Sequence, residues 1–127
     1  MKIAIDAMGG DHAPRAVVEG AAQAVSEGGV PPESLLLVGQ AAALRPLMRE
    51  VGLDEATSVL DAPTVVSMDE SPASAIRTKR DSSIVLGMKA VAEGEAHAFI
   101  SAGNTGAVVA ASSLVLGRLP GVSRPGI

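Results

Sequence analysis

The stretch FISAGNTGAVVAASSLVLG, Phe99 to Gly117, constrains the fold most. It reads as a short apolar strand, a turn of small and polar residues from Ser101 to Thr105, and an uncharged run of helix length from Gly106 to Leu116. Strand, glycine turn and buried helix in that order belong to an open parallel sheet, in which such a turn lies at the carboxyl end of its strand, where ligands gather. The first-turn N–H groups of the helix have no helical partners and face the turn. Gly103 and Gly106 carry no side-chain bulk, while Asn104 and Thr105 offer hydrogen bonds, so the turn suits an oxyanion such as phosphate. The alternative is that the glycines only tighten the turn and let the helix pack closely on the sheet. The lysine signature of a P-loop is absent.

The rest of the chain repeats the alternation. Lys2 to Ile5 is an apolar run ending at Asp6, and AMGGDHAP then leads to a helix over Ala13 to Glu27, with Asp11 as candidate cap and Pro14 in the first turn. Val17, Val18, Ala21, Ala22 and Val25 share one face of it, and Gly28 and Gly29 stop it. Ser34 to Val38 is apolar without alternation, as in a strand buried on both faces. A second helix carries the stripe Leu44, Leu47, Met48 and Val51 and ends at Gly52; Pro46 leaves its start open by a turn. A weaker strand lies at Ser58 to Leu60, and Ala62 to Ser67 runs extended. Ser82 or Ser83 caps a helix whose buried stripe is Ile84, Met88, Val91 and Ala92, closed by Gly94, and the strand Ala98 to Ser101 follows. Strand-like runs alternating with helices predict an α/β fold with a doubly wound, mostly parallel sheet and helices on both faces. Right-handed crossovers would bring Asp6 to His12, Ala62 to Ser71 and Ser101 to Thr105 to one rim.

Composition narrows the function. With one Phe and no Trp or Tyr, base stacking is nearly excluded, and the net charge of −4 opposes a nucleic-acid backbone. The absence of Cys removes disulfides, thiolate-bound zinc and a thiol nucleophile. Asp6 interrupts the first apolar residues too early for a signal peptide, and the longest apolar run is short of the ~20 residues that a membrane span requires, so a cytoplasmic chain is expected. Residues 1–127 read as one α/β domain, and the Pro- and Gly-rich RLPGVSRPGI, leading toward another strand at Ile127, reads as a connection within a longer protein.

The candidate site residues each have a structural alternative. Gly9 and Gly10 follow a strand and precede a helix, but AMGGDH lacks the dinucleotide fingerprint, which weighs against a nucleotide-binding Rossmann-like domain. His12 is a candidate general base or anion contact, or a surface residue at a helix start. Asp6 can orient a ligand or Lys79, or simply cap its loop. Met68 to Ser83 holds Asp69, Glu70, Arg77, Lys79 and Arg80, a cluster that on its own reads as solvated surface. Asp11, His12, Asp69 and Glu70 match no metal-ligand spacing, and no metal or cofactor is expected.

Taken together, IAIDAMGGDHAP, MDESPASAIRTKRDSS, ISAGNTGA and GRLPGVSRP resemble, in order and spacing, the amino-terminal part of the PlsX-type phosphate acyltransferases of bacterial phospholipid synthesis. The resemblance implies an isocitrate dehydrogenase-like fold and transfer of a fatty acyl group from acyl carrier protein to inorganic phosphate, giving acyl phosphate. It also implies a homodimer with peripheral membrane association, formed by proteins considerably longer than this chain, so that 127 residues alone are expected to be inactive. Under it Asn104 and Lys79 become the expected catalytic pair, with Asp6, Gly9, Gly10, His12, Arg77, Ser101, Gly103, Thr105 and Gly106 binding substrate. A rival from another class is a non-catalytic module that docks an acidic carrier protein through Arg77 to Arg80.

Overall fold

Every residue of Leu35–Gly39 is buried, which requires cover on both faces of its sheet. The computed structural model describes residues 1–126 and supplies that cover. Four strands, β1 (Ile3–Asp6), β2 (Leu35–Gly39), β3 (Ser58–Asp61) and β4 (Ala98–Ile100), form one parallel sheet in the order β3-β2-β1-β4. Five helices accompany them: α1 (Arg15–Ser26), α2 (Ala41–Val51), α3 (Pro72–Thr78), α4 (Ser83–Ala92) and α5 (Thr105–Val115). Leu35 and Leu37 pack on one face with Val18 and Ala21 of α1 and Leu44 and Met48 of α2. Leu36 and Val38 turn to the other face and meet Ala4, Ala90 and Ala96. A third apolar cluster joins α3, α4 and α5 through Ala75, Ile76, Ile84, Val85, Met88, Ala107 and Ala111.

The chain winds outward from β1 through β2 to β3, then returns through α3 and α4 to lay β4 on the other side of β1. The winding direction therefore reverses between β1 and β4. In open parallel sheets, such a switch point opens a crevice beyond the strand ends.

Several local expectations need correction. Asp11 does not cap α1: Pro14 holds the N-cap position, after a cis Ala13–Pro14 bond, and no side chain caps the helix. Pro46 does not delay α2, which begins at Ala41, where the Asp61 carboxylate accepts the N–H at 2.9 Å. The missing prolyl N–H costs the bond to the carbonyl of Ala42, an exposed residue. In α4, Ala92 is exposed and Ala90 buried, because the helix is wedged between the sheet and the α3–α5 pair and buries two faces. The apolar run after Gly106 is not a buried helix: α5 buries Ala107 and Ala111 against α3 and α4, while Leu114 is 68% exposed. The strand expected at Ile127 lies outside the described residues.

Candidate functional site

Two glycine turns meet where the winding reverses. Asp6 closes β1 and is only 2% exposed. One carboxylate oxygen accepts the N–H of Met8 at 3.1 Å, and the other accepts the Ser101 hydroxyl at 2.7 Å. The Ser101 oxygen in turn accepts the N–H of Gly103 at 3.0 Å. A single buried carboxylate thus ties the turn after β1 to the turn after β4. The backbones come so close that a Cβ on Gly9 would strike the Asp6 carboxylate and lie 2.8 Å from the Gly103 nitrogen; one on Gly103 would lie 3.2 Å from the Gly9 Cα. Gly10 completes the first turn at φ +111°, a conformation that favours glycine.

The third loop is held by Asn104 and Lys79. Asn104, 6% exposed, accepts the N–H of Ala107 at 3.0 Å as the N-cap of α5. Its amide nitrogen donates to the carbonyls of Ser67 (3.1 Å), Met68 (3.4 Å) and Glu70 (3.1 Å). Both amide hydrogens are thereby committed to the loop. The Lys79 ammonium donates to the Val65 carbonyl at 2.7 Å and pairs with Glu70. Glu70 also accepts the N–H and the hydroxyl of Ser67, both at 2.9 Å. The Lys79 bond first, and then the two Ser67 bonds, hold the Glu70 carboxyl well below the usual range, at about 2.

Asp6, Gly9, Gly10, Ser101, Gly103, Asn104, Thr105 and Gly106 therefore converge on the carboxyl edge of the sheet, with Lys79 linked to them through the loop over 65–70. Two expected contacts are replaced. Asp6 orients Ser101 rather than Lys79, whose charge is taken by Glu70. The Asn104 side chain faces the loop carbonyls instead of a ligand, so its place in the site is to fix the start of α5. Among the described residues, the backbone N–H groups of Thr105 and Gly106 have no acceptor in the protein and remain available at the helix N-terminus. His12 and Arg77 are exposed, and no side-chain contact draws either to the edge. Sequence reasoning missed Glu70 as the partner of Lys79 and Ser67 as the partner of Glu70; the spacing of nine residues between Glu70 and Lys79, with α3 between them, matches no local pairing rule.

The family model described as "Fatty acid synthesis protein" matches residues 1–127. The chain belongs to this family. It is similar to the phosphate acyltransferase of Heliobacterium modesticaldum, 49% identical over 129 residues covering 100% of this chain and 38% of that protein. The phosphate acyltransferase of Levilactobacillus brevis is 49% identical over 127 residues, covering 100% of this chain and 35% of that protein. That of Streptococcus agalactiae is 47% identical over 126 residues, 99% and 37%. The chain thus spans little more than a third of the length of these relatives. Among the described residues of this chain, no helix is long and apolar enough to cross a membrane.

Proposed function

We propose that this chain supplies the phosphate-binding edge of an enzyme that moves a fatty acyl group from acyl carrier protein to inorganic phosphate. The observation that carries the reading is the meeting of the Gly9 and Gly103 backbones at the β1/β4 switch point, directly before the N-terminus of α5. In the reaction, a phosphate oxygen forms a bond to the thioester carbonyl carbon, the carbon–sulfur bond breaks, and the carrier leaves as a thiolate that takes up a proton. No enzyme nucleophile is required, which suits a chain without Cys. The protein's task is to hold a dianion against a carbonyl and stabilise the oxyanion that develops. The N–H groups of Thr105 and Gly106, aided by the positive end of the helix dipole, take that role. Gly9 and Gly103 let the two turns close against each other, with Gly10 beside them. Ser101 and Asp6 set the second turn, and Asn104 with Lys79 acts by positioning the loop over 65–70 rather than by touching phosphate. The exposed His12 and Arg77 are further candidate contacts for the substrate.

The test is a chimaera in which residues 1–127 replace the matching segment of the Heliobacterium modesticaldum relative. Incubated with acyl carrier protein thioester and phosphate, it is expected to release carrier thiol and trap as acyl hydroxamate in equal amounts, only when phosphate is present. A folded chimaera that binds the carrier without phosphate-dependent thiol release would favour the binding-module alternative instead.

A further inference from the structure

Thr57 immediately precedes β3, so it sits at the amino end of a parallel strand, across the sheet from the glycine turns at the carboxyl edge. It is 4% exposed, and among the described residues its hydroxyl is the one buried side-chain polar atom without a hydrogen-bond partner. The backbone around it is satisfied. The Thr57 N–H donates to the Asp54 carbonyl at 3.0 Å, the Ala56 N–H to the Asp54 carboxylate at 2.8 Å, and the Leu53 N–H to the Met48 carbonyl at 2.9 Å. A valine would fill the same space without an orphaned hydroxyl, and buried polar groups of native folds are as a rule hydrogen-bonded, to the protein or to a bound species.

Thr57 lines a cleft of about 300 Å³ together with Arg45, Met48, Arg49, Leu53 and Glu55, between the second half of α2 and the loop that follows it. Met48 and Leu53 are buried and give the cleft an apolar floor. Arg45 and Arg49 stand one turn apart on α2, and among the described residues neither takes part in an ion pair. The neighbouring Glu50 is turned to Arg15 of α1, at 3.0 Å, which leaves Glu55 as the one carboxylate lining the cleft against two guanidinium groups.

We propose that this cleft is a second binding site, and that its ligand is a small organic phosphate monoester. Two guanidinium forks one helical turn apart match the several oxygens of a dianion, which a single carboxylate would not fill. The ligand offers the Thr57 hydroxyl the acceptor that it lacks, while Met48 and Leu53 cover the organic group. The volume lies at the small end of the range for small-molecule pockets. Glu55 repels the dianion and so limits its affinity. None of this depends on the acyl-transfer reading, which concerns the opposite edge of the sheet.

Methionine gives each edge its own NMR reporter: Met48 in the cleft, and Met8 and Met68 beside the glycine turns and in the loop over 65–70. The 127-residue chain, labelled with carbon-13 at its methionine methyls, is titrated with phenyl phosphate. A saturable shift of Met48 is expected, and it should persist in Gly9→Ala, which alters the carboxyl edge. Arg45→Gln/Arg49→Gln should raise Kd at least tenfold and Thr57→Val several-fold, whereas Glu55→Gln should lower it several-fold. Thermal midpoints of these cleft variants without ligand are expected to match the parent; for Thr57→Val, a clear fall would reveal a partner within the protein and count against the site. Benzoate, with one negative charge, and inorganic phosphate, with no organic group, are each expected to bind at least tenfold more weakly than phenyl phosphate; equal affinity for either would overturn the ligand class. The inference as a whole is overturned if Met48 does not saturate or if Arg45→Gln/Arg49→Gln stays within twofold of the parent. It is also overturned if Met48 moves only in step with Met8 and Met68 and falls silent in Gly9→Ala, because the shift would then be a remote effect of the carboxyl edge. The same titration of the chimaera asks whether the remainder of the longer protein covers the cleft: a Met48 shift that persists supports the site, and one that is lost overturns it.

Discussion

Three side chains carry most of the order at the carboxyl edge. Asp6→Ala would leave the Ser101 hydroxyl and the Met8 N–H without their acceptor, at a cost of about 1–3 kcal/mol. Urea unfolding should register that loss together with faster amide exchange at Gly103; an unchanged midpoint would mean that the carboxylate does not join the turns. Asn104→Ala removes both the cap on Ala107 and the hold on three loop carbonyls, and a loss of similar size is expected, with exchange accelerated at Glu70 as well as in the first turn of α5. Glu70 makes a pH prediction. Its carboxyl titrates at about 2 in the folded chain against an ordinary value of 4.5, so the stabilisation from its Lys79 and Ser67 bonds is complete above 4.5 and is lost as pH falls from there toward 2. Carboxyl carbon shifts followed by NMR should give a midpoint near 2, moving up in Lys79→Met; a parent midpoint above 4 would exclude the bond. The sequence singled out Asn104 and Lys79 as candidates, but the direction of their side chains was not legible in it. What they bind is backbone carbonyl and a carboxylate some 9 to 37 residues away, and neither partner leaves a periodic trace.

Among the elements, β2 and α2 were the most legible, because burial on both faces writes an unbroken apolar run and burial of one helix face writes a stripe. The misjudged elements were α4 and α5. Two buried faces on α4 blur its period, and a run of Ala, Val and Leu in α5 looks the same whether one face is covered or all of it. Glycines separate the two kinds of helix position. A Cβ on Gly106 would lie 2.6 Å from Cγ of Pro72, where α5 crosses α3, whereas one on Gly20, in α1, meets nothing within 4 Å. Gly106→Ala should therefore destabilise the chain by roughly 1–3 kcal/mol through overpacking. Gly20→Ala should stabilise it by about 0.5–1 kcal/mol, because an open helix position favours alanine. Chemical denaturation of the two variants against the parent checks both signs.

For the molecule as a whole, alternation of strands and helices was enough to predict a parallel sheet and a shared rim. The strand order was not available from it, since nothing in the sequence around Ala98–Ile100 states that β4 returns to pair with β1 rather than extending beyond β3. That return is what sets Gly9 against Gly103 and makes one edge out of two distant turns. The most direct test of the account is a titration of the isotopically labelled chain with inorganic phosphate, followed through its backbone amides. Saturable shifts are expected at Gly9, Gly10, Gly103, Thr105 and Gly106, and they should vanish in Gly9→Ala. Shifts confined to the arginines and lysines of the outer surface, with the two turns unmoved, would contradict it.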